Sequence, residues 1–169
     1  MKQKHSGDVV KGAVAGLVGG IVASFVMSQF QAFITKIAEA EQKQNTEEKA
    51  EEPATVKAAQ EISKGVFGHK LTQGEKEPAG EAVHYAMGAS SGLIYGVAAE
   101  IEPLTTVGAG MPFGTAVWLI ADDVVVPALG LSKSPTAYPL TTHAYAISSH
   151  LVYGLTTEVT RRALRRVLG

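Results

Sequence analysis

Charged and uncharged stretches alternate along this chain on the scale of a lipid bilayer. Gly12 to Ile34, Ala82 to Ala99, Pro103 to Ala121 and Ser134 to Thr157 each lack Asp, Glu, Lys and Arg. A helix needs about 20 predominantly apolar residues to cross the hydrocarbon core. The pattern predicts helices near 9–35, 81–100, 106–129 and 140–160. In a water-soluble bundle each helix would carry a charged stripe opposite an apolar one. Helix 1 has only Gln29 and Gln31 as strong polar groups over its uncharged stretch. The expected fold is therefore all-α, a polytopic membrane protein with four transmembrane helices. The first span is longer than a signal-peptide h-region and continues into Gln-rich helix without a cleavage site.

Between the first two spans, residues 37–80 read as a polar loop. Gln42 to Glu52 is acidic and low in complexity, a composition expected to be flexible. Pro53 suits the first position of a helix, and Val56, Ala59, Ile62 and Val66 follow at steps of three or four. The spacing predicts a short amphipathic helix over about 53–67, either capping the bundle or lying in the lipid interface.

Small residues give the packing. Gly12, Gly16, Gly20, Ser24 and Ser28 recur every fourth residue in helix 1, as do Gly88, Gly92 and Gly96 in helix 2 and Gly110 and Gly114 in helix 3. Lipid supplies no hydrophobic drive between helices, so close backbone approach must hold them together, and such rows permit it. The rows can serve an internal neighbour or a second copy of the chain, and self-association through them is expected. The partners expected are thus the bilayer and a homo-oligomer. Pro112 and Pro127 fall near the ends of helix 3, where a missing N–H is tolerable.

The chain also repeats itself. Ser90 to Glu100 aligns with Ser148 to Glu158, sharing both serines, the following Leu, the Tyr-Gly pair and the final Glu. Gly12/Gly110, Gly16/Gly114 and Ala23/Ala121 extend the match weakly to helices 1 and 3. This implies two parallel hairpins related by an axis along the membrane normal. Gly92 then replaces His150, and if the two positions face each other the glycine leaves room for the imidazole.

Composition narrows the chemistry. A net charge of −1 over 169 residues gives no basic field for nucleic acid. The absence of Cys excludes disulfides, thiolate metal sites and cysteine nucleophiles. No phosphate-binding loop, nucleophile elbow or His-Glu-x-x-His motif occurs, and no enzyme activity is expected. Ser90-Ser91 and Ser148-Ser149 read as interhelical hydrogen-bond donors. Trp118, in the middle of helix 3, reads as packing.

The ionisable residues in or beside the spans are His84, Glu100, Asp122, Asp123, His143, His150 and Glu158. Such groups are expensive in lipid, usually face the interior, and mark function. Antiparallel threading brings His84, Asp122, Asp123 and His143 to one depth, on the side of the long loop. His150 lies about 10.5 Å deeper on nearly the same face as His143. Glu100 and Glu158 end at the opposite surface, where Glu158 can meet Arg161 and Arg162. Three readings stay open. His84, His143 and one Asp could hold a divalent metal such as zinc. Asp122, His143 and His150 could be stations on a proton or ion path. Or these groups only fix helix packing, making this a structural or accessory protein. Nothing specific supports a haem between His84 and a helix 4 histidine.

Gly130-Leu131, Pro135, Pro139, His150-Leu151-Val152, Glu158, Arg161-Arg162 and Leu164-Arg165 together resemble the C-terminal half of the YagU-like bacterial inner-membrane proteins. The stretch from Pro53 through His84-Tyr85 and Gly88 to Tyr95-Gly96 is similar to smaller relatives of that group. The likeness covers about 53–168. It implies a multi-pass protein of the bacterial inner membrane, in a family without an established activity and loosely linked with acid tolerance. It assigns no catalytic residue. Longer members of that family carry His where this chain has Asp122. The dense Arg cluster after helix 4 places both termini in the cytoplasm.

Overall fold

The structure, a computed structural model, describes residues 2–41 and 52–169. All but the last residue of the acidic Gln42–Glu52 stretch lies outside them. The described chain is helical, and no strand occurs among these residues. Helix α1 (Lys2–Glu41) is followed by α2 (Ala54–Phe67) and α3 (Gln73–Ile101). A kinked segment, Pro103–Gly110, leads to α4 (Met111–Ile120). A π-helical turn, Ala121–Val125, joins α4 to the short α5 (Val126–Ala128), and α6 (Leu140–Leu168) closes the chain. α1 packs along both α3 and α6, α6 packs along both α1 and α4, and α2 lies against α3.

Several boundaries differ from the hydropathy reading, each for a local reason. α3 starts at Gln73 instead of 81, because the polar Gln73–Glu77 turn is helical although too charged for lipid. Glu75 fixes that start: its Oε2 accepts the Thr72 N–H at 2.7 Å and the Thr72 hydroxyl at 2.8 Å, satisfying a donor that a helix N-terminus leaves open. α4 starts at Met111, not 106. Gly108, Ala109 and Gly110 have φ of 74°, 54° and 85°, and three successive left-handed residues cannot continue a right-handed helix. In α2, Pro53 is the cap and not the first helical residue. Its buried face is Val56, Ala59 and Ser63, whereas Ile62 and Val66 are 50% and 70% exposed. Ser63 replaces them inside because its hydroxyl is satisfied by the His69 carbonyl at 2.9 Å.

The glycine rows of α1 and α3 face each other within one chain. A Cβ on Gly16 would lie 2.7 Å from the Gly96 Cα, one on Gly92 2.8 Å from the Gly20 Cα, and one on Gly20 2.9 Å from the Gly88 carbonyl carbon. A Cβ on Gly154 of α6 would lie 2.9 Å from the Gly114 Cα of α4, and one on Gly110, at the end of the kinked segment, 2.9 Å from the Glu158 Cβ. These rows are spent inside the protomer, so a second copy would have to use other surfaces.

The two hairpins share their closest backbone contacts. Gly12 abuts Gly96 and Glu100 as Gly110 abuts Gly154 and Glu158; Gly16 abuts Gly92 and Gly96 as Gly114 abuts His150 and Gly154. Ser90 donates to Ala86 O at 2.7 Å and its counterpart Ser148 to Ala144 O at 2.6 Å, each within its own helix and not, as expected, between helices. Gly92 and His150 do not face each other, however. The space left at Gly92 admits the Gly16 carbonyl of α1, while the His150 backbone lies against Gly114 of α4.

Two stretches of the described residues are long and apolar enough to cross a membrane: Asp8–Ala38 and Pro103–Ala128, whose 18-residue windows reach mean hydropathies of 2.0 and 1.4. α3 and α6 fall short of that measure, because charges at one end and Gly, Ser, Thr and His in the middle dilute them.

Replacing Gly92 by Ala is expected to push α1 from α3 and cost about 1–3 kcal/mol, the usual scale of overpacking. Gly65→Ala on the open face of α2, where an added Cβ meets nothing within 4 Å, is expected to be neutral or slightly stabilising. Unfolding in mixed micelles compares the two. Glu75, chiefly through the Thr72 N–H, is held from 4.5 down to about 2. Because its folded value lies below its unfolded one, the stabilisation is complete above about pH 4.5 and fades as pH falls towards 2. Amide protection at the α3 N-terminus, corrected for the intrinsic pH dependence of exchange, is expected to fall across that window, and Glu75→Gln to remove that fall.

Candidate functional site

The site is built where α4 ends. Pro127 has no N–H to offer the Asp123 carbonyl and its ring crowds that oxygen. The backbone responds with a π turn in which the Val126 N–H reaches Ala121 O, and such turns recur at functional sites. Asp122 and Asp123 lie in this turn. Gly130, with φ of 70°, then stops the helix, and the Gly130 and Leu131 amides return to Pro127 O at 2.9 Å and Val126 O at 3.0 Å. The Tyr138 hydroxyl accepts the Lys133 N–H at 3.2 Å, folding the chain back into α6, which carries His143 and His150.

Asp122, Asp123 and His143 share the wall of a cavity of about 210 Å³ with Trp118, Tyr138 and Ala54, the first residue of α2. The His143 and Trp118 rings meet edge to face with centroids 6.3 Å apart. His150 lies deeper. Its side chain is 11% exposed, its Nδ1 donates to Ala146 O at 2.9 Å, and the same nitrogen is 3.8 Å from Asp122 Oδ2. His143 Nε2 is 3.0 Å from Pro135 O. His84 stays on the α1–α3 seam, its Nε2 3.3 Å from Ser24 O. Each imidazole thus spends one ring nitrogen on a backbone carbonyl. Among the described residues no group of three or more His, Asp or Glu stands close enough to hold a metal ion. Of the predicted set, His143 shares the cavity wall with both aspartates, while His84 Nε2 lies against Ser24 O.

The other end of the bundle holds a larger ionic assembly than the sequence indicated. Glu158 is fully buried. It accepts Arg161 Nε at 2.7 Å on one oxygen and Arg161 Nη2 at 3.0 Å on the other, with Arg162 Nε also bonded to it. Arg161 reaches Glu100 at 3.3 Å, and Arg165 takes Glu100 through Nε at 2.8 Å and Nη2 at 3.1 Å. Asp8 completes it, 3.6 Å from Arg165. Three carboxylates face three guanidiniums, so the cluster is neutral as a whole. The share taken by Glu100 was not foreseen, although its repeat relation to Glu158 was a usable signal.

Between the two polar ends lies an aromatic layer. Tyr95 stacks on Phe113 with centroids 4.3 Å apart, and Phe113 meets Tyr153 at 5.8 Å. Both tyrosines are buried, and the Tyr153 hydroxyl donates to Gly88 O at 2.7 Å.

The sequence profile of one family, described as "Protein of unknown function (DUF1440)", matches residues 58–159. That range takes in α3 to α5, most of α2 and α6, and all of the residues discussed at the cavity except Ala54. No curated protein and no solved structure matches the chain.

Glu158→Ala would leave Arg161 buried beside a lost partner and is expected to cost about 3–5 kcal/mol. Arg166→Ala, exposed on the same helix, is expected to stay within about 0.5 kcal/mol of the parent. Thermal unfolding in detergent measures both.

Proposed function

The chain belongs to the DUF1440 family of proteins of unknown function, and from that premise we propose that it is an integral membrane protein of four spanning helices that binds and passes protons at the Asp122–His150 pair. The spans are α1, α3, α4 with α5, and α6. Their outward residues support lipid as the solvent. Phe25 and Phe33 on α1, Ile94 on α3, Ile120 on α4 and Val159 on α6 are each more than half exposed. An apolar belt of this extent is uncommon on a monomer in water. The interior is the reverse: Ser24, Ser149, His150, Thr157 and Glu158 are buried. α3 has 29 residues, about 43 Å at 1.5 Å per residue, enough to cross the core of about 30 Å and leave its charged first turns in water. We place the chain in the bacterial inner membrane with both termini cytoplasmic, since Arg161, Arg162, Arg165 and Arg166 follow the last span.

The observation that carries the proton reading is the nearly buried imidazole of His150 beside the Asp122 carboxylate. Histidine changes charge near physiological pH, and ionisable pairs inside a bundle are the usual stations of proton transfer. The scattered ligands favour a proton over a divalent cation. A structural role is the second reading. It is favoured by the backbone carbonyl beside one ring nitrogen of His84, His143 and His150 alike, an arrangement that fixes packing without chemistry.

In liposomes carrying a potassium diffusion potential, the protein is expected to pass protons faster than empty vesicles. His150→Ala and Asp122→Asn are each expected to lower the flux at least tenfold, while His84→Ala lowers it little. Flux no greater than that of empty vesicles, or variants that conduct like the parent, would favour the structural reading.

A further inference from the structure

The cavity in front of Asp122 offers more than access for protons. Trp118 and Tyr138 wall it, Asp122 and Asp123 are its acidic residues, and His143, Lys133, Ser132 and Thr142 make up the rest of its polar lining. By residue type the lining carries two acidic side chains and one lysine. The remaining lining is largely apolar, from residues such as Ala54, Val126 and Pro135.

This combination selects a class of ligand. A hard divalent cation takes about six or more oxygen ligands, and no metal-holding group of three His, Asp or Glu occurs among the described residues. Alkylammonium ions need the opposite surroundings. Indole and phenol rings attract the cation through their faces, an apolar wall accepts the alkyl groups, and a carboxylate balances the charge. The volume, about 210 Å³, suits a molecule of a few heavy atoms, smaller than the drug-sized ligands of larger pockets. We infer that this cavity is a binding site for a small organic cation of the alkylammonium type. The inference goes beyond the proton reading and rests on the cavity alone; it requires no transfer through His150.

Trp118 is the one tryptophan of the chain, so its emission reports directly on this space. The detergent-purified full chain is titrated with tetramethylammonium chloride, with sodium chloride and magnesium chloride at matched ionic strength as controls. The expected result is a saturable change in Trp118 emission with tetramethylammonium only, weakened at least tenfold in apparent affinity by Asp123→Asn and by Tyr138→Leu. Two variants are used so that a folding defect in one, visible as lost helical circular dichroism, does not decide the test. A change that is linear in concentration, that sodium reproduces, or that both folded variants retain would overturn the assignment. Saturation by magnesium and not by tetramethylammonium would overturn the ligand class. His150→Ala is expected to bind tetramethylammonium like the parent, which separates failure of this site from failure of the proton reading.

Discussion

Direct contact between helix backbones is the constraint on which the rest of this structure depends. Where Gly16 meets Gly96 and Gly114 meets Gly154, no side chain intervenes. The two helices of each hairpin are therefore set by their backbones and not by the sizes of interlocking residues. Such contact gains dispersion from many atom pairs at once. The same closeness makes the contacts intolerant of a single added methyl group.

From these seams the polar groups take their places. The glycine row turns α6 so that His150 lies beside Asp122 at one end while Glu158 is buried at the other. The repeat makes the hairpins alike in backbone, but their chemistry diverges. At the position of Asp122 the first hairpin has Ser24, and at that of His150 it has Gly92. Only the second hairpin carries an ionisable pair. α6 also runs on where α3 stops, at Ile101. Its added turns carry Arg161, which ties Glu158 to Glu100 across the hairpins, and Arg165, which ties Glu100 to Asp8.

Much of this was legible in the residues because it depends on local spacing. Uncharged stretches located four helical segments, and Ser90–Glu100 against Ser148–Glu158 disclosed the repeat. What escaped depends on the third dimension. The polar start of α3 is invisible to hydropathy, since Glu75 acts there as a cap and not as a solvated charge. Gly108, Ala109 and Gly110 break the start of the third helix through their torsion angles, which composition does not encode. Depth brought four ionisable residues to one level, but depth is a single coordinate. Rotation about the helix axes sent His84 to Ser24 and kept Asp122, Asp123 and His143 at one cavity. Pro127 was read as harmless near a helix end, yet it lies beside the π turn that carries both aspartates.

The most direct test of the backbone contacts is magic-angle-spinning NMR of the protein in lipid bilayers with its glycines labelled in carbon. The account predicts carbon–carbon cross-peaks between Gly16 and Gly96 and between Gly114 and Gly154 in uniformly labelled chains, and none between differently labelled chains in a mixed sample. Cross-peaks that arise only between chains, or no contact at either seam, would contradict it.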